Sequence, residues 1–168
     1  MGDYSAAVLA CTYDRAGCLE LLLDAGADPN QIDAFGWTLA HHCASESSAN
    51  ALKVLLKLRS VIVDKENKEG YTPCMIACLK SNASLITALV EAGANPAKKH
   101  KRTKESSYDL VSTSEARTAI ADGIMLNEKR LKSLAEEEEE RRRIELSYSG
   151  HSGDINIEES EQPTHSSA

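Results

Sequence analysis

The sequence predicts an all-α protein built as a helix-turn-helix solenoid, and two recurring patterns support that prediction. The tripeptide Gly36-Trp37-Thr38 returns thirty-four positions later as Gly70-Tyr71-Thr72. The stretch LELLLDAGADPN (19–30) returns in similar form as LITALVEAGANP (85–96). A period in the low thirties is typical of stacked helix pairs, because one such pair cannot bury its apolar face alone. A stack of this kind is expected to offer a binding surface rather than a catalytic pocket.

Each repeat is predicted to hold a short helix, a longer helix and a turn. The short segments are SAAVLAC (5–11), TLAHHCA (38–44) and TPCMIAC (72–78). A more apolar stretch follows each of them, with helical spacing such as that of Leu52 and Leu55. Ala10, Cys43 and Ala77 share one repeat position. Small side chains at that position predict a close approach between neighbouring helix pairs.

These repeats resemble the ankyrin repeat. The family signature T-P-L-H-x-A survives as Thr72-Pro73 in one copy and as Thr38 with His41 in another. The helix-ending motif G-A-D/N survives as Gly26-Ala27-Asp28 and Gly93-Ala94-Asn95. The resemblance covers residues 3–123 and implies an ankyrin-type solenoid of about four repeats, the first and last of them atypical.

The resemblance is imperfect in the middle and last repeats. Arg59 stands where the other repeats carry Gly26 and Gly93, so the second helix there must end without the usual left-handed glycine. A fourth copy is readable from Ser106 to Val111 and is shortened after Ser112, as expected of a capping repeat. The first copy begins abruptly, which is consistent with a natural cap or with a shortened isoform.

The chain after the repeats has a different composition. Residues 124–147 are strong helix formers without glycine or proline, which predicts a charged C-terminal helix. Ile124, Leu131 and Leu134 fit fewer than two heptads, whereas a coiled coil needs three or four, so a solvated charged helix is favoured over self-association. Residues 148–168 are mostly polar, and we expect a disordered tail there.

Charge and composition narrow the class of partner. The net charge is -7, and the eleven acidic and six basic residues from Ile124 onward supply -5 of it, which leaves -2 for the repeats. Nucleic-acid binding usually needs clustered Lys and Arg and stacking aromatics, whereas aromatic residues here make up 4%. No apolar run approaches the roughly 18 residues of a membrane-spanning helix. We therefore expect a protein partner, no nucleic acid, no membrane and a monomer.

The cysteines predict a reducing compartment. All five lie at positions that form no C-x-x-C pair, namely Cys11, Cys18, Cys43, Cys74 and Cys78. Met1 to Ala10 lacks the basic leader and apolar core of a secretory signal. The expected location is cytoplasmic or nuclear.

The ankyrin resemblance implies a binding surface made of the projecting turns, called fingers, and of the inner short helices. Finger positions are Ala34, Phe35 and Trp37 in one repeat and Lys68, Glu69 and Tyr71 in the next. Inner-helix ends add Ser45, Glu46, Leu79 and Lys80. Phe35 and Trp37 are the only Phe and Trp of the chain, and buried aromatics dominate many interfaces. The alternative is that Trp37 leans inward and contributes stability only.

Other residue clusters are weaker candidates. His41, His42 and Cys43 lie together, but their spacing matches no zinc pattern and supplies no orienting acid for a Cys-His nucleophile. The resemblance implies that His41 bonds to turn backbone between repeats. The basic run 98–102 could serve nuclear import or contact an acidic partner, or could simply be a solvated finger.

The sequence therefore predicts a non-enzymatic protein-protein interaction module without metal or cofactor, an adaptor or an inhibitor. One alternative is a scaffold whose charged C-terminal helix oligomerises or captures the partner. Another is a fragment or isoform of a larger ankyrin-repeat protein. A third, from a different class, is an enzyme or metal protein built on the His and Cys residues.

Overall fold

A computed structural model describes the backbone of residues 5–149 and the side chains of residues 5–146. This part of the chain is helical and contains no β-strand. Two isolated antiparallel bridges, Ile32 with Thr38 and Lys99 with Ser106, close hairpin-like turns. The helices, in chain order, are α1 (Ala6–Thr12), α2 (Ala16–Asp24), α3 (Leu39–Glu46), α4 (Ala49–Leu56), α5 (Pro73–Leu79), α6 (Ala83–Glu91), α7 (Ser107–Leu110) and α8 (Ser114–Ser149).

The short inner helices begin at the residues that the repeat alignment places in one position. Ser5 Oγ accepts a hydrogen bond from the backbone N–H of Val8, which caps α1. Thr38 caps α3 in a reciprocal arrangement with His41, and Thr72 caps α5, whose first residue is a proline. A hydroxyl at the N-cap satisfies an N–H group that would otherwise lack a partner. The recurring Ser or Thr therefore marks the start of each repeat.

The helices stack as three successive pairs: pair 1 (α1, α2), pair 2 (α3, α4) and pair 3 (α5, α6). Each inner helix packs on the next inner helix and each outer helix on the next outer helix. The predicted close approach is present, because Cys43 and Ala77 are fully buried between pairs. Leu19, Leu52 and Ile86 share one repeat position and are also fully buried. This arrangement confirms the predicted ankyrin-type solenoid.

The outer helices end in two ways, as the sequence predicts. Gly26 and Gly93 follow α2 and α6 with φ angles of 93° and 105°, in the left-handed region that favours glycine. Arg59 is not among the residues with positive φ. Helix α4 stops at Leu56, and no residue near its end has the left-handed φ of Gly26 and Gly93.

The fourth repeat is a cap. Helix α7 is a single turn capped by Ser106 and Asp109, whose carboxylate accepts bonds from both the N–H and the hydroxyl of Ser106. Val111 and the first part of α8 then cover pair 3, where Ala119 and Ile120 are buried. Gly123 permits this contact, since an added Cβ would lie 2.7 Å from Val90 Cβ.

Helix α8 runs without a break through the predicted boundary at residue 124. By contacts the described part of the chain divides after Arg130, and the residues up to Arg130 hold the repeats and the cap. In the second group the described side chains are mostly exposed, and Arg143 pairs with Glu140 at 3.5 Å. Tyr148 and Ser149 of the predicted tail belong to α8, and residues 150–168 of that tail lie outside the described residues.

Candidate protein-binding surface

Two turns between helix pairs have nearly the same internal geometry; we call residues 33–38 finger A and residues 67–72 finger B. In finger A, Asp33 Oδ1 accepts hydrogen bonds from the backbone N–H groups of Phe35 at 2.8 Å and Trp37 at 2.9 Å. In finger B, Asn67 Oδ1 accepts the equivalent bonds from Glu69 at 3.0 Å and Tyr71 at 2.9 Å. In each finger, the oxygen of a short side chain at the first position therefore stabilises the turn by accepting two backbone hydrogen bonds.

Glycine is required at the same place in both fingers. Gly36 and Gly70 have φ angles of 76° and 98°, which other residues rarely adopt. A Cβ on Gly36 would lie 3.1 Å from the backbone nitrogen of Lys68, and a Cβ on Gly70 would lie 2.9 Å from His100 Nε2. The Gly36 contact exists because finger A touches finger B, where the Lys68 N–H donates to the Phe35 carbonyl at 3.0 Å. The Gly70 contact exists because His100 lies against finger B.

Two buried histidines hold finger B from opposite sides. His41 Nε2 lies 3.0 Å from the Tyr71 carbonyl oxygen, and His100 Nε2 lies 2.8 Å from the Glu69 carbonyl oxygen. The Nδ1 atoms accept from backbone N–H groups, of Thr38 for His41 and of Thr103 for His100. Each ring must therefore carry its proton on Nε2 and donate it to the finger.

The protonation of His41 follows from its burial. Burial lowers the pKa of His41 to about 4, because a charged imidazole would lose its hydration inside the stack, while the bond to the Tyr71 carbonyl opposes that shift. His41 thus makes the inter-repeat hydrogen bond that the ankyrin resemblance implies. His42 faces Asp33, with Nε2 3.3 Å from Oδ2, and burial lowers its pKa as well.

The predicted aromatic row divides into exposed and packed members. Phe35 is 66% exposed at the end of finger A. Trp37 and Tyr71 are half-buried. The Trp37 ring centroid lies 5.3 Å from that of His42 and 5.9 Å from that of His41, and Tyr71 lies 4.5 Å from His100. The rings of Trp37 and Tyr71 therefore pack against histidines, whereas the Phe35 side chain is exposed to solvent.

The remaining predicted contact residues lie mainly at the surface. Exposed members are Ala34, Lys68, Glu69, Glu46, Leu79 and Lys80, and Ser45 is half-buried. The inner-helix ends differ in character, because Ser45 donates to Glu46 at 3.2 Å on α3 whereas α5 ends with the apolar Leu79. The surface thus combines isolated apolar side chains with charges of both signs.

The basic run 98–102 is partly committed to internal contacts. Lys98 and Lys101 reach Glu66 at 3.2 and 2.8 Å, and Lys98 also donates to the Asp64 carbonyl. The bond from Lys101 is the main reason why the pKa of Glu66 lies below its ordinary value. His100 in the middle of the run is buried. A nuclear-import or acidic-partner role for this run stays a prediction.

The cysteines and histidines form no metal cluster in the part of the chain that the structure describes. The five thiols are free, and Cys11, Cys43, Cys74 and Cys78 are buried, whereas Cys18 is exposed. A hydrogen bond with Cys11, together with burial, raises the pKa of the Cys43 thiol. A raised pKa disfavours the thiolate that a nucleophilic cysteine needs, and Cys43 is fully buried in the hydrophobic core.

Sequence reasoning missed the residues that organise the fingers. Asp33 and Asn67 stand thirty-four positions apart, and this repeat spacing could have revealed them as equivalent. In the sequence His100 looks like one member of a basic run, although its ring hydrogen-bonds to finger B. The sequence gives little indication of this role, because His100 does not occupy the repeat position of His41. His41 bonds to a turn that follows it in the chain, whereas His100 bonds to a turn that precedes it.

The geometry defines a repeat solenoid whose successive turns are hydrogen-bonded to one another and to buried histidines. The family model for ankyrin repeats (three copies) matches residues 7–100, more than half of the chain. The chain belongs to the ankyrin-repeat family, whose repeats are generally protein-protein interaction modules. No helix in the described part combines the length and apolar character needed to cross a membrane.

Curated relatives share the repeats and are much longer. The chain is 33% identical over 87 residues to human Neurogenic locus notch homolog protein 4, covering 52% of this chain and 4% of that protein. It is 33% identical over 104 residues to human Transient receptor potential cation channel subfamily A member 1, covering 60% and 9%. With the BTB/POZ domain and ankyrin repeat-containing protein NPR3 of Oryza sativa subsp. japonica it shares 38% over 63 residues, covering 38% and 10%. The matched part thus spans a tenth of each relative or less.

Proposed function

We propose that this chain is a non-catalytic adaptor or inhibitory module that binds one partner protein along finger A, finger B and the C-terminal ends of α3 and α5. The observation that carries this proposal is Phe35, a large apolar side chain exposed on a finger of fixed backbone. Its carbonyl is bonded to Lys68 and its N–H to Asp33, so docking would order little additional chain. A preorganised surface loses little conformational entropy on binding.

The charges beside Phe35 support a protein partner. Lys68 and Glu69 are exposed on finger B, and Lys80 is exposed at the end of α5. Charged residues around an apolar contact are typical of the rim of an interface, where they set specificity and association rate. We expect Phe35 and Leu79 to supply most of the affinity, and the charged residues to select the partner.

The experiment starts with capture of a partner from cell extract by the full chain, followed by affinity measurement with the purified partner. Phe35→Ala should weaken binding by about 2 kcal/mol, or roughly thirtyfold, as expected of an interface hot spot. Met125→Ala is the matched control, because Met125 is similarly exposed, at 62%, on α8. Equal affinities for Phe35→Ala, Leu79→Ala and the control would overturn the proposed surface.

A second variant tests the scaffold alternative, in which residues after the repeats capture the partner. Truncation after Arg130 is preferable to truncation after residue 123, because Ile124 packs against the core. Unchanged affinity supports the finger surface, and loss of binding with an intact helical spectrum favours the C-terminal segment. The cytoplasmic or nuclear location stays a prediction, as does the idea that the chain is part of a larger ankyrin-repeat protein.

A further inference from the structure

The turn that leads into the fourth repeat is a third finger; we call residues 100–106 finger C. The His100 N–H donates to the Glu105 carbonyl at 2.8 Å, as the N–H groups of Asp33 and Asn67 donate to carbonyls in fingers A and B. The three fingers differ in charge. Finger A contains one acidic residue and no Lys or Arg, finger B contains one of each sign, and finger C contains three Lys or Arg residues and one acidic residue. The row of fingers therefore becomes positive toward its third member.

Lys104 shows that finger C keeps a basic side chain where the other fingers have none. The Lys104 N–H donates to the His100 carbonyl at 3.0 Å, as the N–H groups of Gly36 and Gly70 donate to the first carbonyl of their own fingers. Its φ angle of 63° lies in the left-handed region that favours glycine. Finger C thus has the turn of the other two fingers and an added positive charge.

A groove of about 460 Å³ lies between finger B and finger C. Lys68 of finger B lines it, as do Lys101 and Arg102 of finger C. All three residues are exposed. The two fingers are tied together, because His100 Nε2 lies 2.8 Å from the Glu69 carbonyl oxygen. A ligand that enters the groove therefore meets walls that are already held in place, which limits the entropy lost on binding.

One acidic residue of the groove, Glu66, is already neutralised. Lys98 Nζ lies 3.2 Å and Lys101 Nζ 2.8 Å from its carboxylate oxygens. The Glu66 side chain is 19% exposed, so solvent screens these pairs less than it screens pairs at the open surface. Two lysines thus outweigh one carboxylate at this side of the groove.

Lys68 and Arg102 are the cations most available to a ligand. Neither side chain forms an ion pair within the part of the chain that the structure describes. Glu69 also lines the groove, and together with Glu66 it opposes the four basic residues named above. The groove is therefore positive in a chain whose net charge is -7. A local positive field of this kind attracts and orients an acidic ligand that the chain as a whole repels.

We infer that the groove between finger B and finger C receives a carboxylate from an acidic segment of the partner protein, bound by Lys68 and Arg102. The groove site rests on the proposed function, because it extends the finger surface to finger C. It also gives the partner a polarity, with acidic residues at finger C and an apolar contact at Phe35 of finger A. Arg102 can hold a carboxylate through two parallel hydrogen bonds, which adds geometric specificity to the charge.

A protein segment fits this groove better than a nucleic acid does. Nucleic-acid binding usually needs an extended positive surface and aromatic rings on which bases stack. Here Glu66 and Glu69 interrupt the positive surface. The Tyr71 ring of finger B packs against His100, with ring centroids 4.5 Å apart. A short acidic segment needs neither feature.

The first experiment uses the full chain and, as the probe, a capped peptide of alternating glutamate and glycine. In an NMR titration, we expect backbone amide shifts in fingers B and C and none in finger A. The same peptide with glutamine in place of glutamate is the uncharged control and should not bind. Raising the ionic strength from about 0.01 M to about 0.15 M should weaken the contact, because the screening length falls from about 30 Å to about 8 Å.

A double variant tests the two cations directly. Lys68→Gln with Arg102→Gln should weaken binding of the glutamate peptide about fivefold to tenfold, as expected when two exposed charge pairs are lost. Lys53→Gln with Lys129→Gln is the matched control, because it removes the same charge from exposed positions on α4 and α8. Equal peptide affinity of the two double variants would overturn the groove site. Tighter binding of single-stranded oligo-deoxythymidine than of the peptide would also overturn it, by making a nucleic acid the ligand.

The purified partner separates the groove site from the proposed function. Weaker binding by Phe35→Ala and by the Lys68 and Arg102 double variant supports both. A partner that needs Phe35 but is unaffected by the double variant would exclude the acidic segment and leave the proposed function intact. A partner that is affected by neither would overturn both.

Discussion

Finger A and finger B have similar backbone conformations but differ in the hydrogen bonds that neighbouring residues make to them. Finger B receives a histidine from each side, His41 at the Tyr71 carbonyl and His100 at the Glu69 carbonyl. Finger A is bonded to finger B through the Phe35 carbonyl, and its Asp33 faces His42. The more firmly held finger therefore contributes mostly structure, and the finger with fewer clamps exposes the large aromatic side chain. Two copies of one turn therefore differ, because two histidines hold finger B and a large exposed side chain, Phe35, lies on finger A.

The largest effect is expected where finger B meets His100. Gly70→Ala places a Cβ 2.9 Å from His100 Nε2 at a φ of 98°. A left-handed alanine costs about 1–2 kcal/mol and crowding a packed site adds about 1–3 kcal/mol, so we expect a total loss of about 2–5 kcal/mol in the free energy of unfolding. Urea unfolding measures it.

Gly17→Ala is the control for that substitution. An added Cβ at Gly17 meets nothing within 4 Å, and the residue lies in α2. Alanine there should be neutral or stabilise by up to about 1 kcal/mol through helix propensity. Similar losses for Gly70→Ala and Gly17→Ala would show that finger B is not clamped by His100.

Acid should weaken the His41 clamp. The folded pKa of His41 is about 4, below the ordinary value of 6.5, so protonation favours the unfolded chain. The stability that neutral His41 contributes is complete above pH 6.5 and is lost as the pH falls toward 4. The shift corresponds to roughly 3 kcal/mol over that interval. Urea unfolding at pH 7.5 and pH 4.5 measures the change.

His41→Gln isolates this contribution, because other groups also titrate. The pKa of His42 is lowered by burial, and those of Glu66 and Asp109 are lowered mainly by hydrogen bonds, so all three add to acid destabilisation. The variant should be less stable at pH 7.5 and should lose less stability on acidification than the native chain. Parallel pH profiles would contradict a neutral, buried His41.

The sequence could predict what is local and periodic. The recurrence of Ser5, Thr38 and Thr72 at one repeat position located the starts of the inner helices, because an N-cap needs only nearby backbone. The exposure of Phe35 and the burial of Cys43 also follow from repeat position. The binding role of the fingers remains a prediction from family resemblance.

Contacts between repeats were less accessible to sequence reasoning. His100 bonds to a carbonyl thirty-one residues earlier, and Asp14 caps a helix in the next pair. Both residues look like ordinary surface polar groups in the sequence, since their roles depend on where a neighbouring repeat lies. For the same reason the sequence does not reveal that the first turns of α8, before residue 124, pack against pair 3.

A smaller effect should separate the two aromatics of finger A. Trp37→Ala removes a half-buried ring in contact with His41 and His42, and we expect a loss of about 1–2 kcal/mol from the lost apolar burial. Phe35→Ala should change stability by less than about 0.5 kcal/mol, as is usual for exposed positions. Thermal unfolding of the two variants measures the difference. Equal destabilisation would show that Phe35 contributes to stability as much as Trp37 does.

The smallest effect tests whether the charge of Asp33 matters to finger A. Asp33→Asn keeps an oxygen that can accept from Phe35 and Trp37, as Asn67 Oδ1 does for finger B. The pKa of His42 is lowered by burial, so this ring is mostly neutral at pH 7.5, and losing the facing charge should cost less than about 1 kcal/mol.

The same substitution should matter more in acid. Asp33 opposes the lowering of the His42 pKa, so it stabilises the protonated ring that forms as the pH falls. The gap between Asp33→Asn and the native chain should therefore widen between pH 7.5 and pH 5. Asp33→Ala removes both backbone hydrogen bonds and should cost about 1–3 kcal/mol at either pH. If Asn and Ala prove equally damaging at pH 7.5, the charge rather than the acceptor geometry closes finger A, and the two fingers are held by different means.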